Sequence, residues 1–361
     1  MDQKTMKALV YHGPSQISLD DVPVPQIEEP TDAILKVTTS TICGSDIHII
    51  HGYIPSVQPG TVVGHEFCGE IVELGSSIGG DFKVGDRVAV SCIVHCGKCF
   101  YCLNDQPQYC VAGRGTKGWD NSMLFGNYID GCQAEYIRVP LAETGMYKIP
   151  EGLDDLDVLF VGDILSTGYF GAEKCNIQHG DTVVVWGSGP VGMCAMASAR
   201  LWSPAQIIGV DLDQYRLETA KNNGVCDIII NSGQEDAAAK IMELTNGRGA
   251  DCAIEAIGLV PTIDSAMKTL RVGGRLEVIG FGAPTYELSL VELFMKNLSI
   301  GSGLVPADNM GRLIELIAKG KLNLRFLATH TKPLNDIVEG YDIFGNKKDN
   351  CIKWVVTPYE E

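Results

Sequence analysis

Asp181-Thr182-Val183-Val184-Val185-Trp186-Gly187-Ser188-Gly189-Pro190-Val191-Gly192 decides the fold. A short apolar run of strand length passes into a glycine turn, and an Ala- and Met-rich run with helical character continues to Leu201. Glycines at such a turn let the backbone approach a pyrophosphate closely, while the N-terminus of the adjoining helix favours its negative charge. Gly187, Gly189, Pro190, Val191 and Gly192 are therefore candidate dinucleotide contacts. A G-x-G-x-x-G pattern alone is a weak signal, and here the next strand gives it weight. That apolar run, Gln206 to Val210, ends at Asp211, 24 positions after Gly187, where an acid is expected to meet the ribose hydroxyls. A carboxylate there repels a 2′-phosphate and favours NAD over NADP, with Arg216 the one cation near enough to compensate.

Strand-like and helix-like segments then alternate. Strands are expected at Asp227 to Ile230, Asp251 to Ile257 and Arg275 to Gly280, with helices at Glu235 to Thr245 and Thr262 to Leu270. Such alternation implies an α/β fold, a doubly wound parallel sheet with helices on both faces. Gly258 and Gly280 end two strands on the edge where a bound dinucleotide lies, and join the cofactor candidates.

The N-terminal part reads differently. Short β-like segments at Met6 to Tyr11, Ala33 to Thr39, Gly69 to Leu74, Arg87 to Val90 and Ala134 to Pro140, punctuated by Gly, Pro and Asp, indicate a β-rich domain. From about Leu298 the alternation is lost. A helix at Met310 to Lys319 and a final strand at Cys351 to Val356 suggest a return to this first domain. The expected organisation is residues 1–163, a dinucleotide domain over 164–300 inserted in it, and a return over 301–361.

Within the β-rich part, Cys43-Gly44-Ser45-Asp46-Ile47-His48 and Val63-Gly64-His65-Glu66 gather a thiol, imidazoles, carboxylates and hydroxyls, on expected loops between strands. A catalytic zinc accepts such donors, typically three from protein with one position open. Cys43 and His65 are the first two candidate ligands. For the third, Asp163 lies within the apolar run Leu159 to Leu165, where a carboxylate is rare unless paired or bound to metal. Glu66 is its rival, and a turn or helix-cap role for Asp163 also fits beside Gly162. A second cluster, Cys96, Cys99, Cys102 and Cys110, places four thiolates at the spacing of a closed tetrahedral zinc in a lobe near residues 92–112. An iron–sulfur cluster or a nucleic-acid zinc module are the competing readings of that spacing. The long stretch Gly113 to Asp130 reads as a loop, with Trp119 as a pocket wall or an anchor.

Composition narrows the partners. The chain has 361 residues with 28 basic and 45 acidic side chains, a net charge of −17, which disfavours nucleic acid and anionic membranes. It contains neither a secretory-type apolar segment near Met1 nor a run of about 18 apolar residues. Thirteen cysteines without such a signal point to a reducing, cytoplasmic setting and metal binding rather than disulfides.

Taken together, Cys43-Gly44-Ser45-Asp46 with His48, Gly64-His65-Glu66, the four-cysteine lobe, Asp163-Ile164-Leu165-Ser166-Thr167-Gly168 and the glycine turn resemble the zinc-containing medium-chain alcohol dehydrogenases over essentially the whole chain. The resemblance is greatest to the secondary-alcohol and formaldehyde dehydrogenase branches, because Asp163 stands where many relatives carry a third cysteine ligand. It implies a Rossmann coenzyme domain inserted in a GroES-like catalytic domain, one catalytic and one structural zinc per chain, NAD, an alcohol with its ketone or aldehyde as substrate, and a homotetramer. Cys43, His65 and Asp163, with Glu66 beside them, match the catalytic zinc ligands; Ser45 and His48 match the proton relay; Asp46 matches the acid that orients His65. Thr167 matches a residue beside the nicotinamide, Lys353 a cation that meets the pyrophosphate, and Cys92 a wall of the substrate pocket. Polyol, threonine and glutathione-independent formaldehyde dehydrogenases are family alternatives, and a non-catalytic NAD-binding protein is the alternative of a different class.

Overall fold

A computed structural model describes residues 4–112, 121–282 and 285–359. Trp119 and the first part of the loop expected over Gly113 to Asp130, residues 113–120, lie outside the described residues. The chain divides into two compact units, Met1–Asp163 with Pro306–Glu361, and Ile164–Val305. The return expected at 301 thus begins five residues later, because Ser299–Ser302 is still a strand of the second unit's sheet.

In the second unit six parallel strands lie in the order Ile228–Asn231, Gln206–Asp211, Thr182–Trp186, Ala250–Glu255, Leu270–Val278, Ser299–Ser302. Numbered along the unit, that order is 3-2-1-4-5-6, the doubly wound arrangement whose chain reversal falls beside the first strand. The central strands are buried along their full length, which is why they read as unbroken apolar runs rather than alternating ones. The sequence reading misses the helices Ile164–Lys174, Gln214–Asn222 and Leu290–Lys296, and it differs at two strands. The strand expected at Arg275 begins at Leu270, and Ser299–Ser302 is too short and mixed to carry a strand signature. Pro190–Ala199 forms the helix after the glycine turn.

The first unit is built on a mixed sheet. Its path runs Ala328–Pro333, Lys353–Thr357, Ala33–Thr41, Glu66–Leu74, Arg87–Val90, Met146–Lys148, and Tyr136–Val139 pairs beside Ala33–Thr41. The last strand of the chain therefore lies against Ala33–Thr41 near the middle, in antiparallel register with Val355 opposite Thr41. Thr5–Gly13 and Gln16–Pro23 form a separate antiparallel hairpin, joined to the rest of the unit by single bridges at Ala8–Ala134 and Val10–Val62. One apolar core of this unit gathers Val37, Phe67, Val90 and Ile137; another gathers Leu9, Ile42, Ile337 and Trp354. No described helix is long and apolar enough to cross a membrane.

Candidate functional site

Cys43 is the residue before a short helix, Gly44–Ile50, rather than part of a plain loop. Asp46, in the first turn, folds back to accept the Cys43 N–H at 2.9 Å and thereby holds the thiol at the helix entrance. The other oxygen of Asp46 lies 2.9 Å from His65 Nδ1, with both side chains buried. This leaves Nε2, the opposite ring nitrogen, facing Asp163 Oδ2 at 3.3 Å and Ser45 Oγ at 3.1 Å. His65 itself directly precedes the strand Glu66–Leu74, and Glu66 is that strand's first residue.

Asp163 sits between the turn Leu159–Gly162 and the helix Ile164–Lys174. Its Oδ2 accepts from Cys43 Sγ at 3.4 Å, so the carboxyl serves the thiol and the imidazole. The ligand atoms of Cys43, His65, Glu66 and Asp163 all lie within 4.8 Å of one another. Tetrahedral zinc with bonds of about 2.0–2.3 Å holds neighbouring S, N and O donors about 3.4–3.6 Å apart. The separations of Asp163 Oδ2 from Cys43 Sγ, 3.4 Å, and from His65 Nε2, 3.3 Å, are close to that requirement.

The electrostatics of the cluster also call for a cation. Burial, then Asp163 and Glu66, push the Cys43 thiol up to about 11. Burial raises Glu66 to about 7 against the pull of Lys353. Burial works against a charge on His65 as well, yet Asp46, with Asp163 and Cys43, carries the imidazole well above its ordinary range. The group thus balances its own anions by holding protons, and a divalent metal replaces those protons. Glu66 Oε2 is buried without a hydrogen-bond partner, a further unused donor.

Two residues take positions that the motifs do not disclose. Lys353, expected at a pyrophosphate, is 1% exposed; its ammonium donates to Glu66 Oε1 at 2.6 Å and to the Ile42 carbonyl at 2.7 Å. That expectation is corrected: a lysine closed off from solvent at the start of a buried strand, its ammonium turned inward to a carboxylate and a carbonyl, does not face a diphosphate. Cys92 lies against Asp163, Sγ to Oδ1 3.7 Å, and is also 1% exposed, so it backs the carboxylate. His48 is half-buried, 6.0 Å ring to ring from Tyr53, and burial and the neighbouring His51 lower its pKa below 6.5.

The four-cysteine lobe is similarly assembled. Cys96 Sγ lies 4.0 Å from Cys102 Sγ, and Cys99 Sγ lies 3.5 Å from Cys102 and 3.9 Å from Cys110. Tetrahedral zinc with Zn–S of about 2.3 Å sets sulfurs about 3.8 Å apart, whereas a disulfide brings two to about 2.05 Å. The spacing is that of a metal cage. Backbone N–H groups of Cys96 and Ala112 each point at Cys110 Sγ from 3.3 Å, which offsets thiolate charge. Cys99 is lowered to about 6, its burial outweighed by such hydrogen bonds.

In the second unit the glycine turn is a cradle that side chains would fill. Gly187 has φ +99°, and a Cβ on Gly192 would collide with the Gly187 carbonyl. Gly189 precedes the helix and Pro190 opens it, with Val191 next. Asp211, at its strand end, accepts the N–H groups of Ser188 at 2.6 Å, Leu212 at 2.7 Å and Asp213 at 3.0 Å, tying the acid to the glycine turn. Arg216 lies beside Gly189 and 3.7 Å from Asp213 Oδ2. Gly258 and Gly280 pack backbone to backbone: a Cβ on Gly258 would stand 2.8 Å from the Gly280 carbonyl. Thr167 is half-buried in the helix Ile164–Lys174.

Comparison with known proteins agrees with this geometry. Residues 29–151 match the alcohol dehydrogenase GroES-like domain, and residues 190–319 match the zinc-binding dehydrogenase family. An alcohol dehydrogenase of Cupriavidus necator is 39% identical over 98% of this chain and 99% of its own. A sorbitol dehydrogenase of Bacillus subtilis is 32% identical over 98% of each. The solved zinc-dependent alcohol dehydrogenase 2 from Streptococcus pneumonia is 37% identical, superposes with a TM-score of 0.90 and covers 99% of both chains. The chain belongs to the zinc-containing medium-chain alcohol dehydrogenases, a family of zinc- and nicotinamide-dependent oxidoreductases.

The glycine cradle generates a direct test. Gly192→Ala is expected to cost about 1–3 kcal/mol in stability by overpacking, read as a lowered Tm. NADH binding, followed by fluorescence titration, is expected to weaken at least about tenfold. Unchanged Tm and affinity would show that the turn admits a side chain.

Proposed function

We propose that this chain oxidises secondary alcohols to ketones, and catalyses the reverse, with NAD as hydride carrier and two zinc ions per chain. Cys43, His65 and Asp163 hold the catalytic ion, and Cys96, Cys99, Cys102 and Cys110 hold the structural one. The observation that carries the reading is the three-donor cluster with tetrahedral spacing beside an aspartate-oriented histidine. A closed four-sulfur lobe has no position for substrate, so its work is to hold its own segment of chain together.

A zinc ion in the first cluster supplies Lewis-acid activation of the alcohol hydroxyl. The chain's residues do the rest. Asp46 keeps the Nδ1 proton on His65 and so directs the Nε2 lone pair into the cluster. Ser45, 3.1 Å from that nitrogen, is placed to accept the alcohol proton, and His48, on the same short helix, passes it to solvent. The glycine turn, Thr167, Gly258 and Gly280 receive the dinucleotide. Asp211 favours NAD, since a carboxylate at the end of this strand repels a 2′-phosphate.

Secondary alcohols are favoured because Cys92 is a small residue where relatives place larger pocket walls. Its burial against Asp163 means that enlarging it would disturb the carboxylate as well as the pocket. A polyol reading is the second choice, favoured by the Bacillus subtilis sorbitol dehydrogenase relative and by the unused Glu66 oxygen. None of the thirteen cysteines is paired in a disulfide, in keeping with a reducing cytoplasm. The homotetramer finds support on the second unit. The helix Leu290–Lys296 exposes Leu290, Val291, Phe294 and Met295 by 71–83%, and among the described residues Ser299–Ser302 is the outermost strand of the sheet on that side. Apolar area of this kind ordinarily marks an interface.

Two measurements test this reading. Metal analysis with an NAD-linked panel of ethanol, 2-butanol, a vicinal diol, sorbitol, threonine and formaldehyde is expected to give two zinc per chain and highest kcat/KM on 2-butanol. NAD should exceed NADP by at least about tenfold. One zinc and no turnover would leave only the cysteine lobe standing, and preference for sorbitol would select the polyol reading. His48→Gln is expected to slow alcohol oxidation about 10²-fold. The neutral imidazole accepts the proton, so wild-type activity falls as acid protonates it, with the limb below pH 6.5 because His48 is lowered; this limb should vanish in the variant. An unchanged pH profile would remove His48 from the relay.

A further inference from the structure

The ion pair between Glu66 and Lys353 has no part in the reaction derived above, although it adjoins the metal cluster. Both side chains are at the limit of burial, 0% and 1% exposed. Each opens a strand that borders Ala33–Thr41: Glu66 lies opposite Thr41 on one side, and Val355, two residues after Lys353, lies opposite it on the other. The lysine thus crosses the end of the shared strand, fixed by the Ile42 carbonyl at 2.7 Å, to reach Glu66 Oε1 at 2.6 Å. The Phe160 ring, 5.8 Å from the ammonium, adds a further apolar wall.

We propose that Lys353 is a positioning residue that holds Glu66 off the metal, so that Cys43, His65 and Asp163 are the resting ligands and the fourth position stays open to substrate. The inference rests on the metal reading given above. Asp163 contacts both Cys43 and His65, whereas one Glu66 oxygen is bound to the lysine and the other has no hydrogen-bond partner. A buried carboxylate beside a divalent ion is strongly drawn to it unless another cation competes. Lys353 is that competitor, and it is anchored on a different strand from any proposed ligand. Removing its charge lets Glu66 close the metal's open position.

Replacement of zinc by cobalt(II) provides a readout besides turnover. Imidazole binding at the open position is followed through the thiolate-to-cobalt band that disappears in Cys43→Ser. In Lys353→Met the half-saturating imidazole concentration is expected to rise by about 10-fold or more, the scale on which partners of ligands act. Lys353→Arg should keep it near the wild-type value, and Lys353→Met combined with Glu66→Gln should restore it. Glu66→Gln alone, whose amide oxygen can still accept from Lys353, should leave it unchanged. The assignment is overturned if Lys353→Met titrates as wild type, if the double variant stays as weak as the single one, or if Glu66→Gln alone strengthens imidazole binding about 10-fold. Lack of a Cys43-dependent band in the wild-type protein overturns the metal reading and this assignment together; a normal wild-type band with any of the preceding results overturns the assignment alone.

Discussion

Burying negative charge in one small volume is the constraint on which this molecule turns. Cys43, Glu66 and Asp163 bring a thiol and two carboxyls within 4.8 Å of one another, and isolated charges in such surroundings cost several kcal/mol each. His65 and Lys353 are the cations that face them. The sheet of the first unit can be understood as the frame for this balance. Glu66 and Lys353 begin strands on either side of Ala33–Thr41, and the short helix behind Cys43 supplies the acid that orients His65. A divalent ion bound here would complete the balance that protons otherwise keep and would thereby link metal occupancy to the stability of this unit.

The second unit solves a different problem, the close approach of an anionic cofactor to backbone. Here the decisive residues are those that lack side chains. Gly187 and Gly192 leave a space that any Cβ would occupy, and Asp211 stiffens the same turn by accepting three backbone N–H groups. One unit therefore works through charge compensation and the other through absence of bulk, and the chemistry of hydride transfer requires both.

These two problems also explain which features are legible in the amino-acid order. The glycine turn, the long apolar strands and the C-x-x-C steps are local patterns, and each carries its physical cause within a few residues. The helix at Gly44–Ile50 is hidden because seven residues are too few for a helical period to show. The hairpin strand Gln16–Pro23 is masked by the prolines at its end, and Ser299–Ser302 by its brevity and polarity. Lys353 is the instructive failure. Its partner lies 287 residues away, and nothing next to Lys353 in the chain marks it as the counter-charge of Glu66. A lysine at the start of an otherwise apolar terminal strand is the only signal the sequence offers.

That distance has a consequence during synthesis. Cys43, His65 and Glu66 leave the ribosome well before the strand that carries Lys353. At about 5–20 residues per second, the 287 residues between Glu66 and Lys353 take about 15–60 s to translate. For that interval the nascent first unit lacks the strand beside Ala33–Thr41 and exposes both an unpaired sheet edge and an uncompensated acid. The inserted second unit, whose strands are contiguous in the chain, completes its own sheet meanwhile. The unit that is contiguous in the chain can therefore close before the discontinuous unit that flanks it in sequence.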